Sequence, residues 1–587
     1  MPKAAIETDW WRRWPGIYQT EKADFERFGA DLTEKRASNG QLTLDVRWPL
    51  PNGETVDLVV DYSPHHPHCR PRVSSDQFRT AFVRHVDPFL GGLCLITQDG
   101  DQWNSHQTVA GLIDEQLQKI IDVNAVRSEG IPAIAADLEE HAPDPLTAYY
   151  DHTCEVMSAV FFDGNAKTVT ENFGLLDISI RNREIQTPER PFEACLDRVN
   201  SAAGTRLSTM RGKWRPAGQW EAISGPWVRL DVPRSASADE LFSAAQEKLR
   251  QLSILQPAML QQLDQMWSQP FNITGILFQD ELQYDGERYG DAWLFVVSRQ
   301  NKRGQTERTL ARAHRLSDDI LARAPSIQPF TAKKIAVLGT GAIGSFVAIE
   351  LARSGVAELV LVDHDSVEPG NSVRWPLGQA SWGIPKSWAL DAHIRLNYPR
   401  TKVTAENRKI GSSFIDSKKG QVNGLKHDAD MVRNADLVID TTASVEVASA
   451  ISNLCLDVGT DYLMAYATMG AAGGVVLEQP NTSQACYVCL LENWASETLP
   501  GPPVDGSGMI VPVGCNAPTF TGASYDLQEV SLSAVRSASA MLREQGLEHR
   551  QTRLAILDFT KSDERRIPEW SLKHVTAQCT RCNQKTE

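Results

Sequence analysis

No stretch of this 587-residue chain approaches the run of about 20 apolar residues that a membrane-spanning helix needs. The opening, MPKAAIETDWWRRWPG, also lacks the apolar segment of a secretory signal, so the chain reads as cytoplasmic and free of the membrane. Basic charge is in deficit: the formal net charge is −15, and no Lys/Arg run supplies the positive footprint that nucleic-acid binding requires. Cysteine is sparse, ten residues in the whole chain, which excludes a disulfide scaffold. In a reducing compartment, spaced cysteines are metal ligands or nucleophiles more often than bridges. No internal repeat or long low-complexity segment is visible.

What is present has three textures. Residues 1–125 open with a charged, helix-like segment from Thr20 to Arg36. The alternating strand-like runs QLTLDVRWPL and ETVDLVVDYS come next, then a Pro-rich turn, SPHHPHCRPRV. A cysteine segment, HVDPFLGGLCLI, and a helix-like HQTVAGLIDEQLQKIID close the region, which reads as a small α+β domain. Residues 126–325 mix strands such as ITGILFQDE and DAWLFVVS with the amphipathic helix ADELFSAAQEKLRQLSIL, and read as a mixed α/β linker domain. Residues 326–587 begin with KKIAVLGTGAIGSFVAIELARSGVAELVLVDHD, a buried strand, a Gly-rich turn, a helix and a second strand ending in acid. This is the βαβ opening of a nucleotide-binding domain, and the fold class is α/β.

Gly339, Gly341 and Gly344 form G-x-G-x-x-G directly after the apolar strand. The first permits the tight turn, the second lets backbone approach phosphate oxygens, and the third allows helix and strand to pack closely. Asp363 ends the next strand, where an acid binds ribose hydroxyls. The pattern by itself fits a dinucleotide cofactor or ATP. Beyond the acidic pair Asp363 and Asp365 stand Asn371, Arg374 and Lys386. A dehydrogenase has no need of cations there, whereas an adenylating enzyme must stabilise charge at the α-phosphorus as a carboxylate attacks.

These residues carry a resemblance to the ThiF/MoeB-type adenylyltransferases, which include the ubiquitin-activating enzymes. The family pattern, G-x-G-x-x-G, then D-x-D-x-V-x-x-x-N-x-x-R, then G-x-x-K, stands here as Gly339 to Gly344, Asp363 to Arg374 and Gly383 to Lys386. The resemblance implies that Asp363 holds the ribose of ATP and that Asn371, Arg374 and Lys386 contact its phosphates. It departs from the pattern once. The family often carries D-x-T-D after a later strand, with its last Asp on magnesium; here the stretch is LVIDTTASVEV and the position is Ala443. Asp440 or Asp365 takes that ligand over, or Asp440 caps the strand–helix turn.

Cys486 and Cys489 form one CxxC, and Cys579 and Cys582 a second. Brought together, they make a closed, structural four-cysteine zinc site that would pin the C-terminal end of the chain to its domain. Between the pairs lies Cys515, in VPVGCNAPTFTGASYD, just before a helix-like segment that would lower a thiol's pKa. Its G-C-x-x-P-T-F setting resembles bacterial activating domains in which this cysteine takes the acyl group from the adenylate. Cys94 lies after two glycines and before a polar stretch and a helix. The N-terminal region resembles a divergent bacterial ubiquitin-conjugating (UBC-fold) domain, which implies that Cys94 is its active cysteine. The usual His-Pro-Asn triplet is absent, with His85, Asn104 and His106 as nearby polar candidates. Cys455 reads as core, and a metal at His65, His66, His68 and Cys69 is the weaker reading of a strand-exit turn.

A conjugating-type domain ahead of an activating-type domain resembles the activating–conjugating fusions of bacterial antiphage CBASS operons, the CD-NTase-associated protein 2 family. That resemblance implies a homodimer that uses ATP, magnesium and structural zinc. It implies activation of the C-terminus of a cGAS/DncV-like nucleotidyltransferase, with the acyl group passing from Cys515 to Cys94 and then to an amine on a target protein. The same relay acting on a bacterial ubiquitin-like modifier stays open, as does a sulfur-carrier adenylyltransferase, which would not need Cys94.

Overall fold

A computed structural model describes residues 7–36, 41–82, 84–96, 103–128, 145–150, 153–155, 158–162, 169–181, 192–209, 219–231, 235–254, 256–284, 287–315, 324–416, 420–507, 509–510, 519–547, 550–560 and 569–583. They form two compact units, one within residues 1–212 and 220–316 and the other within 213–219 and 317–587.

The first unit opens with an antiparallel meander of β1 (Asp31–Arg36), β2 (Leu42–Pro49), β3 (Thr55–Tyr62) and β4 (Arg72–Ser74), in that spatial order. Alternation does what the sequence pattern implies: Leu42, Leu44, Val46 and Trp48 of β2 face inward with Val56, Leu58, Val60 and Tyr62 of β3. The helices Pro15–Arg27 and Val109–Ser128 share that core through Tyr18, Phe25, Val109, Ile113 and Leu117. Glu21, only 2% exposed, ties the layers together by accepting from the Tyr62 hydroxyl at 2.9 Å and from the Val109 N–H at 3.1 Å. The charged segment does not stay helical to Arg36. The helix ends at Arg27, where Gly29 takes φ +76° and the Ala30 N–H closes back on the Phe25 carbonyl, releasing Asp31–Arg36 to become β1.

The second sheet comprises β5 (Ser158–Phe162), β6 (Phe173–Arg181), β7 (Phe192–Ser201), β8 (Arg206–Thr209), β9 (Glu221–Arg229), β10 (Phe271–Tyr284), β11 (Glu287–Gln300) and β12 (Thr306–Arg315). The order is β5-β12-β11-β10-β9-β6-β7-β8, and β5 pairs with both β12 and β7. The sheet therefore closes on itself as a barrel filled by Leu176, Ile178, Trp227, Trp293 and Phe295. Helices Ala238–Leu252 and Pro257–Trp267 cover its outside through Phe242, Ala245, Leu249 and Leu263.

The second unit holds β13 (Lys334–Leu338), β14 (Glu358–Asp363), β15 (Lys402–Asn407), the hairpin β16 (Phe414–Asp416) and β17 (Gly420–Val422), and β18 (Leu437–Asp440). It continues with β19 (Asp461–Ala467), β20 (Gly473–Gln479), the hairpin β21 (Met509–Ile510) and β22 (Thr519–Phe520), β23 (Arg553–Asp558) and β24 (Glu569–His574). The main sheet runs β15-β14-β13-β18-β19-β20-β23-β24, parallel as far as β19 and antiparallel beyond. Helices cover both faces: Gly344–Arg353, Lys386–Asn397 and Ser524–Arg543 on one, Gly424–Arg433, Val445–Val458 and Tyr487–Ala495 on the other. The order reverses at β13, whose neighbours are β14 and β18, so a crevice opens at the carboxyl ends of these strands. Among the described residues, no helix is long and apolar enough to cross a membrane.

A buried ion pair holds the antiparallel half. Arg550 donates to both oxygens of Asp461 at 2.9 Å, and the two side chains are 5% and 0% exposed. Arg550→Ala leaves Asp461 buried without its cation and is expected to cost about 3–5 kcal/mol, measured as a fall in the unfolding midpoint, with partial recovery in Arg550→Lys.

Candidate adenylation site and cysteine centres

The Gly-rich turn is built by backbone contact. Gly339 takes φ +78°, and a Cβ there would stand 2.9 Å from the backbone of Thr442, beyond β18. At Gly344 a Cβ would meet the Gly339 carbonyl oxygen at 1.9 Å and Thr441 Oγ1 at 2.2 Å. The Thr441 hydroxyl donates to that same carbonyl at 2.6 Å, so the turn and the end of β18 are one interlocked piece. Gly341 differs: a Cβ there would meet nothing within 4 Å. Among the described residues, its lack of a side chain answers to no neighbour, and the backbone there is open at the start of the helix Gly344–Arg353.

Asp363 ends β14 beside the turn and is 8% exposed. Its Oδ2 accepts from the Thr340 N–H at 2.6 Å and the Thr340 hydroxyl at 2.9 Å, and its Oδ1 from the Asp365 N–H at 2.9 Å. The next segment is folded back at its base: the Lys386 N–H donates to the Asp365 carbonyl at 2.9 Å, and Val367 exchanges hydrogen bonds with Gly383 and Ile384. Lys386 Nζ lies 3.1 Å from Asp365 Oδ2. Asn371 closes a short turn by accepting from the Glu368 N–H at 3.1 Å, and the Arg374 N–H donates to the Asn371 carbonyl at 2.9 Å. Burial lowers the Arg374 pKa from its usual value. Trp375, unremarked in the sequence, anchors this segment: its indole N–H donates to the Thr340 carbonyl at 2.8 Å. Only its place beside Arg374 in the motif hinted at it.

The magnesium question turns on Asp440. This residue is 1% exposed, and it accepts from the Thr442 N–H at 2.9 Å, the Thr442 hydroxyl at 2.7 Å and the Tyr462 hydroxyl at 2.9 Å. Burial raises its pKa, against those hydrogen bonds. These bonds anchor Asp440 at the strand–helix turn. Ala443 follows in a left-handed backbone, φ +55°. Asp365 remains half-exposed, and with Asp363 and His364 it places ligand atoms within 4.8 Å of one another.

Cys486, Cys489, Cys579 and Cys582 converge, all buried, with their sulfurs within 4.8 Å of one another. The Cys486 sulfur lies 4.0 Å from that of Cys489 and 3.7 Å from that of Cys579. A tetrahedron of thiolates about 2.3 Å from a zinc ion has edges of about 3.8 Å, so the four fit one. The Cys486 thiol's hydrogen bond holds Cys489 well below the usual thiol range, and a backbone N–H from Gln578 reaches its sulfur at 3.4 Å.

Cys94 sits between two backbone constraints. Its N–H donates to the His85 carbonyl at 2.9 Å, and Val86 and Leu93 form a β-bridge beside it. Its half-buried thiol lies 3.5 Å from the Ile96 carbonyl. His85 is buried with φ +59°, whereas Asn104 and His106 are exposed and joined in a turn, the Asn104 side chain accepting from the His106 N–H at 3.0 Å. Cys515 lies outside the described residues; β21 and β22 pair on either side of it, ahead of the helix Ser524–Arg543. Cys455 is fully buried in the core, as its apolar helix implies.

Residues 320–569 match the ThiF family. Over 581 residues the chain is 39% identical to the uncharacterized protein y4oA of Sinorhizobium fredii (strain NBRC 101917 / NGR234), across 98% of this chain and 97% of that protein. The chain belongs to the y4oA family. Its C-terminal unit is a ThiF-type adenylyltransferase domain. Within that part, the chain is 26% identical over 181 residues to the sulfur carrier protein ThiS adenylyltransferase of Escherichia coli (strain K12), covering 31% of this chain and 65% of that enzyme. It is 27% identical over 173 residues to ubiquitin-like modifier-activating enzyme 5 of Culex quinquefasciatus, covering 28% of this chain and 43% of that enzyme.

The two glycines give opposite expectations. Gly341→Ala should leave the unfolding midpoint unchanged and weaken ATP binding at least about tenfold. Gly344→Ala should lower the midpoint, because its Cβ meets backbone. Thermal unfolding with and without ATP checks both.

Proposed function

We propose that this chain activates the C-terminal carboxylate of a protein with ATP and carries it as a thioester, first on Cys515 and then on Cys94. The observation that carries the reading is the open backbone at Gly341 between Asp363 and the Arg374–Lys386 segment, at the reversal point of a ThiF-type sheet. Backbone N–H groups at the turn and the cations Arg374 and Lys386 receive the phosphates of ATP, and Asp363 faces the ribose. Magnesium, held by Asp365 in place of Ala443, would neutralise phosphate charge. The carboxylate attacks the α-phosphorus, pyrophosphate leaves, and an acyl adenylate forms. The Cys515 thiolate displaces AMP; the Cys94 thiolate then takes the acyl group and releases the Cys515 thiolate; an amine finally displaces the Cys94 sulfur, its proton passing to the leaving thiolate.

Domains at 1–125, 126–325 and 326–587 fit this division of labour. The order of helix, four-stranded meander, Cys94 and helix supports a UBC-like role for the first. The named relatives act, by their names, on ubiquitin-like and sulfur-carrier proteins, which favours a protein carboxylate as substrate. Our first assignment is the CBASS fusion family and a cGAS/DncV-like nucleotidyltransferase as the activated partner, within a homodimer. A bacterial ubiquitin-like modifier is the second. A non-reducing gel with MgATP and the nucleotidyltransferase decides: a thiol-sensitive adduct is expected in wild type, absent in Cys515→Ala and held on Cys515 in Cys94→Ala. No adduct with that partner, but one with a Gly-tailed modifier, moves the assignment to the second. AMP formation without any Cys94 adduct favours a sulfur-carrier adenylyltransferase.

The four-cysteine cluster holds structural zinc in this reading. Metal analysis should find about one zinc per chain, lost in Cys579→Ser together with a fall in the unfolding midpoint and earlier proteolysis of the C-terminal end.

A further inference from the structure

The segment bearing Cys94 belongs to two cores at once. Val86, Leu95 and Ile96 are buried in the core of the first sheet. Phe89, between them in sequence, packs instead into the core outside the barrel, its ring 4.8 Å from that of Tyr150.

Two successive acids of β10 secure both ends of this arrangement. Asp280 accepts from the Leu146 N–H at 2.7 Å, the Thr147 N–H at 2.9 Å and the Thr147 hydroxyl at 2.8 Å. It thereby fixes the start of the helix Leu146–Tyr150, and with it the ring that meets Phe89. Glu281, next in the chain and just before the register shift of β10 against β11, receives Arg84 Nη1 on both oxygens at 2.8 and 2.6 Å. Arg84 and Glu281 are 3% and 6% exposed. The backbone of Arg84 is gripped as well: its N–H donates to Asn124 Oδ1, and its carbonyl accepts from Asn124 Nδ2, each at 3.1 Å. His85 follows at φ +59°, and its carbonyl holds the Cys94 N–H.

A buried ion pair adds little net stability over apolar residues of the same volume; what it adds is a fixed geometry. Here it lies one residue from the carbonyl that sets the Cys94 backbone. We propose that the barrel is the positioning scaffold of the second cysteine, with Glu281 and Asp280 as positioning residues acting through Arg84 and through Tyr150 against Phe89. This rests on the reading of Cys94 as acyl acceptor and gives the middle of the chain a role, which is to hold the Cys94 segment in the pose that receives the thioester.

The test uses the full chain and two readouts. Peptide-resolved mass spectrometry of iodoacetamide labelling follows Cys94 from about pH 6 to about pH 9, a range bracketing ordinary thiol titration. Non-reducing gels follow each thioester. In Arg84→Met/Glu281→Leu the unfolding midpoint should stay within about 4 °C of wild type. Cys94 labelling should rise at least about fivefold as the segment opens locally. Transfer from Cys515 to Cys94 should slow at least about tenfold while the Cys515 adduct forms at its normal rate. Unchanged Cys94 labelling in a folded double variant overturns the proposal. Should that variant not fold, Glu281→Gln keeps the shape and removes the charge; a rise of at least about twofold in labelling supports the scaffold, and no rise overturns it. Labelling needs no substrate, so a Cys94 response without any thioester in wild type refutes the relay and upholds the scaffold.

Discussion

Everything at the crevice of the second unit depends on one steric contact, the helix backbone at Gly344 lying against the carbonyl of Gly339. Because no side chain intervenes, the turn closes tightly enough for Thr441 to cap it from β18. Thr340 can then bond Asp363 at the end of β14. Three adjacent strand ends become one rigid rim, and Trp375 attaches the Asn371–Arg374 turn to it. Protein contacts alone hold this rim together.

Each cysteine centre follows the same rule of preparing backbone first. The four thiols converge because the helix Tyr487–Ala495 and the short turn after β24 are both held in the core, with Asn493 bonding the Cys489 and Thr576 carbonyls across them. Cys94 is set by a hydrogen bond to a left-handed residue whose neighbour is ion-paired to the barrel. Both sets of thiols are placed by buried polar contacts, which are costly to break.

Much of the C-terminal unit was legible from residues 333–387, because a G-x-G-x-x-G turn between apolar strands has few other uses and the Asn371–Arg374–Lys386 spacing is specific. The convergence of two CxxC pairs, 93 residues apart between Cys486 and Cys579, was equally readable, since thiols in such pairs seek one another or a metal. Less legible was the helix end at Arg27: charged residues satisfy both an exposed helix and the exposed edge strand β1, and only Gly29 argued for the break. Barrel closure could not be read at all. Alternation shows which face of a strand is buried, not whether β5 finds β7 as well as β12.

By itself the sequence determined which groups are present: a Gly-rich turn, cations beyond it, a set of four paired cysteines, and two further cysteines in polar, glycine-bearing settings. These are local properties, carried by residue type and spacing over a few positions. The tertiary structure alone decided what those groups touch. It committed Asp440 to Thr442 and Tyr462, left Asp365 beside Lys386, and joined Arg84 to Glu281 across 197 positions of chain. Burial and hydrogen-bond satisfaction depend on what distant segments bring into contact, and no short-range pattern records that.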